Sequence, residues 1–276
     1  MTISVVISSY RGNEALVRAC IESLNRQITR PDEIILVVDT EQERISFSQY
    51  LGDISQITLR TVFSGKKGLA AARNKGIEVS SGDIIAFIDD DAIADENWLT
   101  EILKAFHSAE SVAIVGGQVL PMFEGRQIDQ SLYWIIGCTS KNPPTTRPIG
   151  CNMAIKKEVF KEIGMYDEHL GRVKDNLAIG EETELFLRVT EKIPHAYIRY
   201  QEDAIVYHRV PKRRTSLSYI LKRAYEEGAS KAIISKVYSL NEEKKYLIHY
   251  FRHVSPLTIM VVFAVGAGYL KGKLSG

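Results

Sequence analysis

Asp89, Asp90 and Asp91 follow directly on the apolar run at 84–88. Three adjacent acids at the end of a buried strand repel one another and destabilise a fold unless something positive answers them. A divalent cation does so well, because hard ions such as Mg2+ and Mn2+ prefer carboxylate oxygens, and such an ion can in turn hold a diphosphate. The triplet therefore points to chemistry on a phosphate-bearing donor. Asp39 ends a second buried run at 33–38. Glu181 and Glu182 follow Gly180 at a predicted helix start. A helix dipole favours acids there, and one carboxylate so placed can take a proton from an attacking hydroxyl.

The elements that must position these acids are legible as alternating patterns. Strands are predicted at 3–8, 33–38, 57–63, 84–88 and 112–115, and helices at 15–26, 70–79 and 96–107. This order predicts an α/β fold with a mostly parallel, doubly wound sheet, whose ligand sits beyond the carboxyl ends of the strands. Asp39 and Asp89 both fall at such ends. Further along, helices are predicted at 157–163 and 181–192 and strands at 196–200 and 204–207. The connection at 119–150 holds Tyr133, Trp134 and a proline-rich stretch at 143–148, and reads as a lid or binding loop. Trp134 has two readings, stacking on an acceptor or filling a core. At 216–238 an amphipathic helix places Leu217, Ile220, Leu221, Ala224 and Gly228 on one face.

Composition narrows the class. The chain has 276 residues, 45% hydrophobic and 25% charged, ordinary for a globular protein. Lys+Arg 35 against Asp+Glu 34 leaves no bias toward nucleic acid. Cys20, Cys138 and Cys151 fit neither a disulfide framework nor a zinc spacing, which suggests a reducing compartment. The N-terminus reads as a strand and not a signal peptide. Residues 254–270 carry no charge; as a helix they reach about 26 Å, against about 30 Å for a hydrocarbon core. A buried helix, an in-plane anchor and a single C-terminal span all remain open, and the tail suggests membrane contact.

Five segments in order carry a resemblance: VVISSYRGNEALVRACIESLNRQ, IILVVDT, GLAAARNKGIEVSSGDIIAFIDDD, GCNMAIKKEVFKEIGMYDE and GEETELFLRV. They resemble the successive motifs of glycosyltransferase family 2 over about residues 3 to 210. The resemblance implies an inverting enzyme with the GT-A nucleotide-diphospho-sugar transferase fold and a nucleotide-diphosphate sugar donor. It implies Mn2+ or Mg2+ as cofactor, with Asp91, Asp89 and His208 as metal ligands. Asp39 matches the acid that meets the donor base, and Ser9, Arg73, Asn74, Asp89, Asp90, Gly150 and Asn152 match positions lining the nucleotide sugar. Glu182 matches the catalytic base, with Glu181 a live alternative, because the family pattern there is Glu-Asp; Glu184 is a weaker third candidate. Thr40 stands where the family usually has a second Asp, and Ser8-Ser9 stands where it has Pro-Thr.

The glycine-bounded loop Gly65-Lys66-Lys67-Gly68 suits an anion cradle, and Lys212, Arg213 and Arg214 suit diphosphate or anionic headgroups. The expected division is a nucleotide-sugar half at 1–118, an acceptor and catalytic half at 119–212, and an amphipathic helix with a membrane-associating tail at 213–276. The basic residues Lys222, Arg223, Lys231 and Lys236 beside that tail point to a lipid-linked or glycan acceptor at the cytoplasmic face of the membrane. The segment 208–232 resembles archaeal lipid-linked glycan transferases, which implies hexosyl or hexuronosyl transfer. Two rivals are a polyprenyl-phosphate sugar synthase, whose anionic acceptor needs no base, and a non-catalytic nucleotide-sugar-binding protein.

Overall fold

A computed structural model describes residues 1–10, 12–51, 57–140, 147–170, 180–240 and 255–274. Strands β1 (Ile3–Ser9), β2 (Glu33–Val38), β3 (Thr58–Phe63) and β4 (Ile84–Asp89) pair in parallel in the order β3-β2-β1-β4. Their apolar residues alternate between two cores. Ile3, Val5, Ile7, Ile34, Leu36, Ile84 and Ala86 face one side, and Val6, Ile35, Val37, Ile85 and Phe87 the other. Burial on both faces is why these strands read as unbroken apolar runs.

Helices α1 (Glu14–Asn25), α2 (Glu41–Tyr50), α3 (Leu69–Val79) and α4 (Trp98–His107) accompany this half. The Asn13 side chain caps α1 by accepting from the backbone N–H groups of Ala15 and Leu16. Helix α2 is absent from the sequence reading because it buries only Phe47, so it lacks an apolar stripe.

The sheet then changes character. Beyond β4 it continues through β5 (Ala92–Ala94), β6 (Val112–Phe123), β7 (Met153–Lys156) and β8 (Tyr197–Val210), in the order β4-β7-β6-β8-β5. β7 runs antiparallel to β4 and β6, and β5 antiparallel to β8. Residues predicted as two strands at 196–200 and 204–207 form one strand with a shift in register between Gln201 and Ile205. Helices α5 (Lys157–Ile163) and α6 (Glu181–Lys192) close the second core. Helices α7 (Leu217–Ile234) and α8 (Pro256–Leu274) pack on one another. Trp134 lies in a 3-10 turn and packs with Leu132, Ile135, Ile220 and Val261, which is the core reading of that residue. Residues 143–146 and 252–254 lie outside the described residues.

Candidate active site

The acidic triplet straddles the end of β4. Ser8 pairs with Asp89 across β1 and β4, and Asp90 and Asp91 form the turn into β5. Because Ala92 pairs with His208, the sheet itself brings His208 to the acids. His208 Nε2 lies 3.3 Å from Asp91 Oδ1 and 4.0 Å from Asp89 Oδ2. Arg214, from the 3-10 turn Lys212–Thr215 that follows β8, reaches the same point. Its Nη1 lies 3.2 Å from His208 Nε2 and its Nη2 3.4 Å from Asp91 Oδ2.

Neighbouring ligand atoms around a six-coordinate Mg2+ at 2.0–2.1 Å stand roughly 3 Å apart, so the Asp91–His208 spacing fits a shared cation. The donor set of carboxylates and imidazole fits Mn2+ or Mg2+ chemistry. Asp90 takes another role. It accepts a 2.6 Å hydrogen bond from Ser9 Oγ, and burial, reinforced by Asp91 and Asp89, pushes its pKa up to about 7. Ser9 is itself buried. The pair braces the triplet.

A second charged group lies on the far side of residues 150–152. Arg73, from α3, is 2% exposed, and its Nη1 lies 3.2 Å from Glu181 Oε1 and 3.0 Å from Glu182 Oε1 at the start of α6. Tyr166 stacks under the guanidinium at 5.6 Å. Arg73 anchors the two glutamates. Burial raises the pKa of Glu181, and Glu182 adds to this against the pull of Arg73. Glu182 is pushed the same way by burial, yet Arg73 and the helix-start N–H group outweigh that and hold it below the usual range. Glu181 is 2% exposed and Glu182 23%, so the ionised carboxylate is also the accessible one. Glu184 pairs with Arg188 at 2.7 Å within α6 and accepts from the Tyr238 hydroxyl beyond α7.

The segment 150–152 joins both groups. A Cβ at Gly150 would lie 2.1 Å from both Arg73 Nη2 and Glu182 Oε1, so only glycine fits beside this ion pair. Asn152 is wholly buried. Its amide donates to Gln118 O and Ala204 O at 2.8 Å each and accepts from Trp98 Nε1 at 2.8 Å. With each of these bonds inside the protein, Asn152 fixes the floor of the site. Asn74 donates to Tyr166 O and Glu168 and accepts from Tyr166 N, clamping residues 166–168 to α3.

Asp39, just past β2, is 6% exposed and its Oδ2 is buried without a hydrogen-bond partner. Burial and Glu43 raise its pKa against the effect of Lys67. A buried acceptor at the carboxyl end of a parallel strand is suited to a ligand N–H or O–H group. The sequence reading missed the Arg73–glutamate pairing and the closeness of Cys151 to Asp89 and His208. Only the adjacency of Cys151 to Gly150 hinted at the latter.

The family described as glycosyl transferase family 2 matches residues 4–164. A glucosyl-dolichyl phosphate glucuronosyltransferase of Haloferax volcanii is 28% identical, the alignment covering 100% of this chain and 97% of that protein. The succinoglycan biosynthesis protein ExoM of Rhizobium meliloti is 25% identical over 58% of this chain and 50% of its own. Among solved structures, the mannosyltransferase PcManGT from Pyrobaculum calidifontis, in complex with GDP-Man and Mn2+, superposes with TM-score 0.65 at 15% identity, covering 99% of this chain and 75% of that one. Glucosyl-3-phosphoglycerate synthase from Mycobacterium tuberculosis, with Mg2+ and UDP, gives 0.55 at 17% identity, covering 87% and 81%. These structures share the GT-A fold expected from the sequence. An acidic turn at the end of β4, an acid pair opening α6 and a family pattern spanning more than half the sequence lead to one assignment: the chain belongs to glycosyl transferase family 2.

Proposed function

We propose that this glycosyltransferase moves a hexosyl or hexuronosyl unit, with inversion, from a nucleotide-diphosphate sugar to a hydroxyl of a lipid-linked saccharide at the cytoplasmic face of the membrane. The observation that carries the reading is Glu182, a partly exposed carboxylate kept ionised by a buried arginine 3.0 Å away. A hydroxyl acceptor needs such a base; a phosphate acceptor does not. The full-length likeness to a glucuronosyltransferase acting on a glucosyl-dolichyl phosphate supports a sugar hydroxyl on a lipid carrier.

In this mechanism residues 1–118 hold the donor and residues 119–212 complete the acceptor side. Asp39 Oδ2 accepts from the nucleobase. Asp91, Asp89 and His208 would hold Mn2+ or Mg2+, which supplies Lewis-acid compensation for the departing diphosphate. Arg214, already beside Asp91, offers a guanidinium to the same oxygens. Glu182 removes the acceptor hydroxyl's proton as the oxygen attacks the anomeric carbon, and Arg73 fixes the direction of that carboxylate.

The test is transfer from a panel of nucleotide sugars with Mn2+. Glu182→Gln should lower kcat by roughly 10²–10⁴-fold while donor affinity, read by thermal stabilisation, stays within about twofold of wild type. Full turnover in that variant would assign a phosphate acceptor instead. Asp91→Asn should lose both Mn2+ binding and donor stabilisation; unchanged binding would remove the cation from the scheme.

A further inference from the structure

Cys151 is a donor in the acidic pocket that the proposed reaction leaves unused. Its Sγ, a carboxylate oxygen of Asp89 and a ring nitrogen of His208 all lie within 4.8 Å of one another. The thiol is 2% exposed, and its backbone is held on both sides. Gly150 before it is pressed against the Arg73–Glu182 pair, and Asn152 after it is bonded to β6, β8 and α4. Cys138 Sγ lies 3.7 Å from His208 Nδ1, while Nε2 is the nitrogen nearest Asp91 and Asp89.

One carboxylate, one imidazole and one thiol make a mixed O, N, S donor set. Such a set with an open fourth position is what tetrahedral zinc-class ions take. Mg2+ and Mn2+ favour oxygen and gain little from sulfur, whereas thiolate selects softer ions. We propose that Cys151, Asp89 and His208 form a second coordination mode of this pocket, one that binds thiophilic divalent ions such as Zn2+, Co2+ and Cd2+ through sulfur and competes with the hard ion. On binding, the Cys151 S–H bond breaks, a metal–sulfur bond forms and the proton passes to water, with no change of oxidation state. The inference rests on the cation reading of Asp89 and His208, and its failure is distinguishable from the failure of that reading.

The experiment is an anaerobic Co2+ titration of the full chain, followed by the near-ultraviolet thiolate-to-cobalt charge-transfer band, beside a Mn2+ titration by electron paramagnetic resonance. Wild type is expected to show the band and displacement of Mn2+ by Co2+ or Zn2+. Cys151→Ser and Cys151→Ala should abolish the band and weaken Co2+ at least about tenfold, since even outer partners of a metal site cost that much, while Mn2+ affinity stays within about twofold. Cys138→Ser should keep the band. Cobalt binding without the band, or a band that survives loss of Cys151 or vanishes with Cys138, overturns the proposal. A Cys151-dependent cobalt band without Mn2+ binding would overturn only the hard-ion reading, and binding of neither ion would overturn both.

Discussion

Arg73 holds one positive charge against two carboxylates in a space almost closed to water. Glu181 and Glu182 cannot both ionise there without leaving a net buried negative charge, which is costly. The more deeply buried Glu181 keeps its proton further into the neutral range, with a pKa raised to about 7. This has a sign in stability. The unfolded chain loses that proton near the ordinary glutamate value of about 4.3, while the folded protein retains it until about 7. Across that window the folded state binds more protons than the unfolded one, so folding stability falls as pH rises and levels off above it, by no more than about 4 kcal/mol. Glu181→Gln cannot ionise and is spared this loss. Melting temperatures of wild type and variant should therefore differ least near pH 4, the variant gaining steadily up to about pH 7.5. A gap independent of pH would show that the proton is not held at Glu181.

At the scale of elements, the first half of the fold was legible because its strands are buried on both faces and so print unbroken apolar runs, each ending in a polar residue. β7 was hidden: four residues, Met153–Lys156, carry no periodicity and lie between a glycine turn and a helix. β5 was hidden for the same reason, at three residues. The site inherits this division. The acids at strand ends could be read in sequence, but the inward turn of Asn152 and Arg73 could not, because it depends on which strands the mixed half brings together. Asn152 makes the point testable. It bonds a carbonyl of β6, a carbonyl of β8 and the Trp98 indole of α4. Asn152→Ala would leave three buried polar groups unpaired, at about 1–3 kcal/mol each. A loss of at least about 3 kcal/mol in denaturant unfolding is expected, with donor affinity in the surviving folded fraction little changed. A stable variant that has lost donor binding would return Asn152 to the donor.

For the whole molecule, the question is how α8 meets a membrane. Among the described residues it is the one helix long and apolar enough to cross a bilayer by length and composition. Its packing gives it another orientation. Thr258, Val261, Gly268 and Gly272 form its buried stripe, and the glycines let backbones touch: a Cβ at Gly268 would lie 1.9 Å from Tyr225 O, and one at Gly228 1.9 Å from Val265 O. Helix α7 in turn lies over the start of α6, since a Cβ at Gly180 would meet Ile234 Cδ1 at 2.8 Å. Standing α8 across a bilayer would strip these contacts or drag α7, with Lys222, Arg223 and Glu226, into hydrocarbon. The opposite face of α8 exposes Met260, Phe263, Leu270 and Leu274, with Lys271 and Lys273 at its end. That arrangement suits a helix lying in the interface against anionic headgroups. The chain is therefore expected to float with anionic vesicles and to leave tags at both termini on one side of the membrane. Phe263→Asp with Leu270→Asp should weaken vesicle binding at least about tenfold, because each buried side chain of this size contributes roughly 1.5–3 kcal/mol, while turnover on a soluble acceptor analogue persists. Tags on opposite sides of the bilayer would show that α8 leaves α7 and spans.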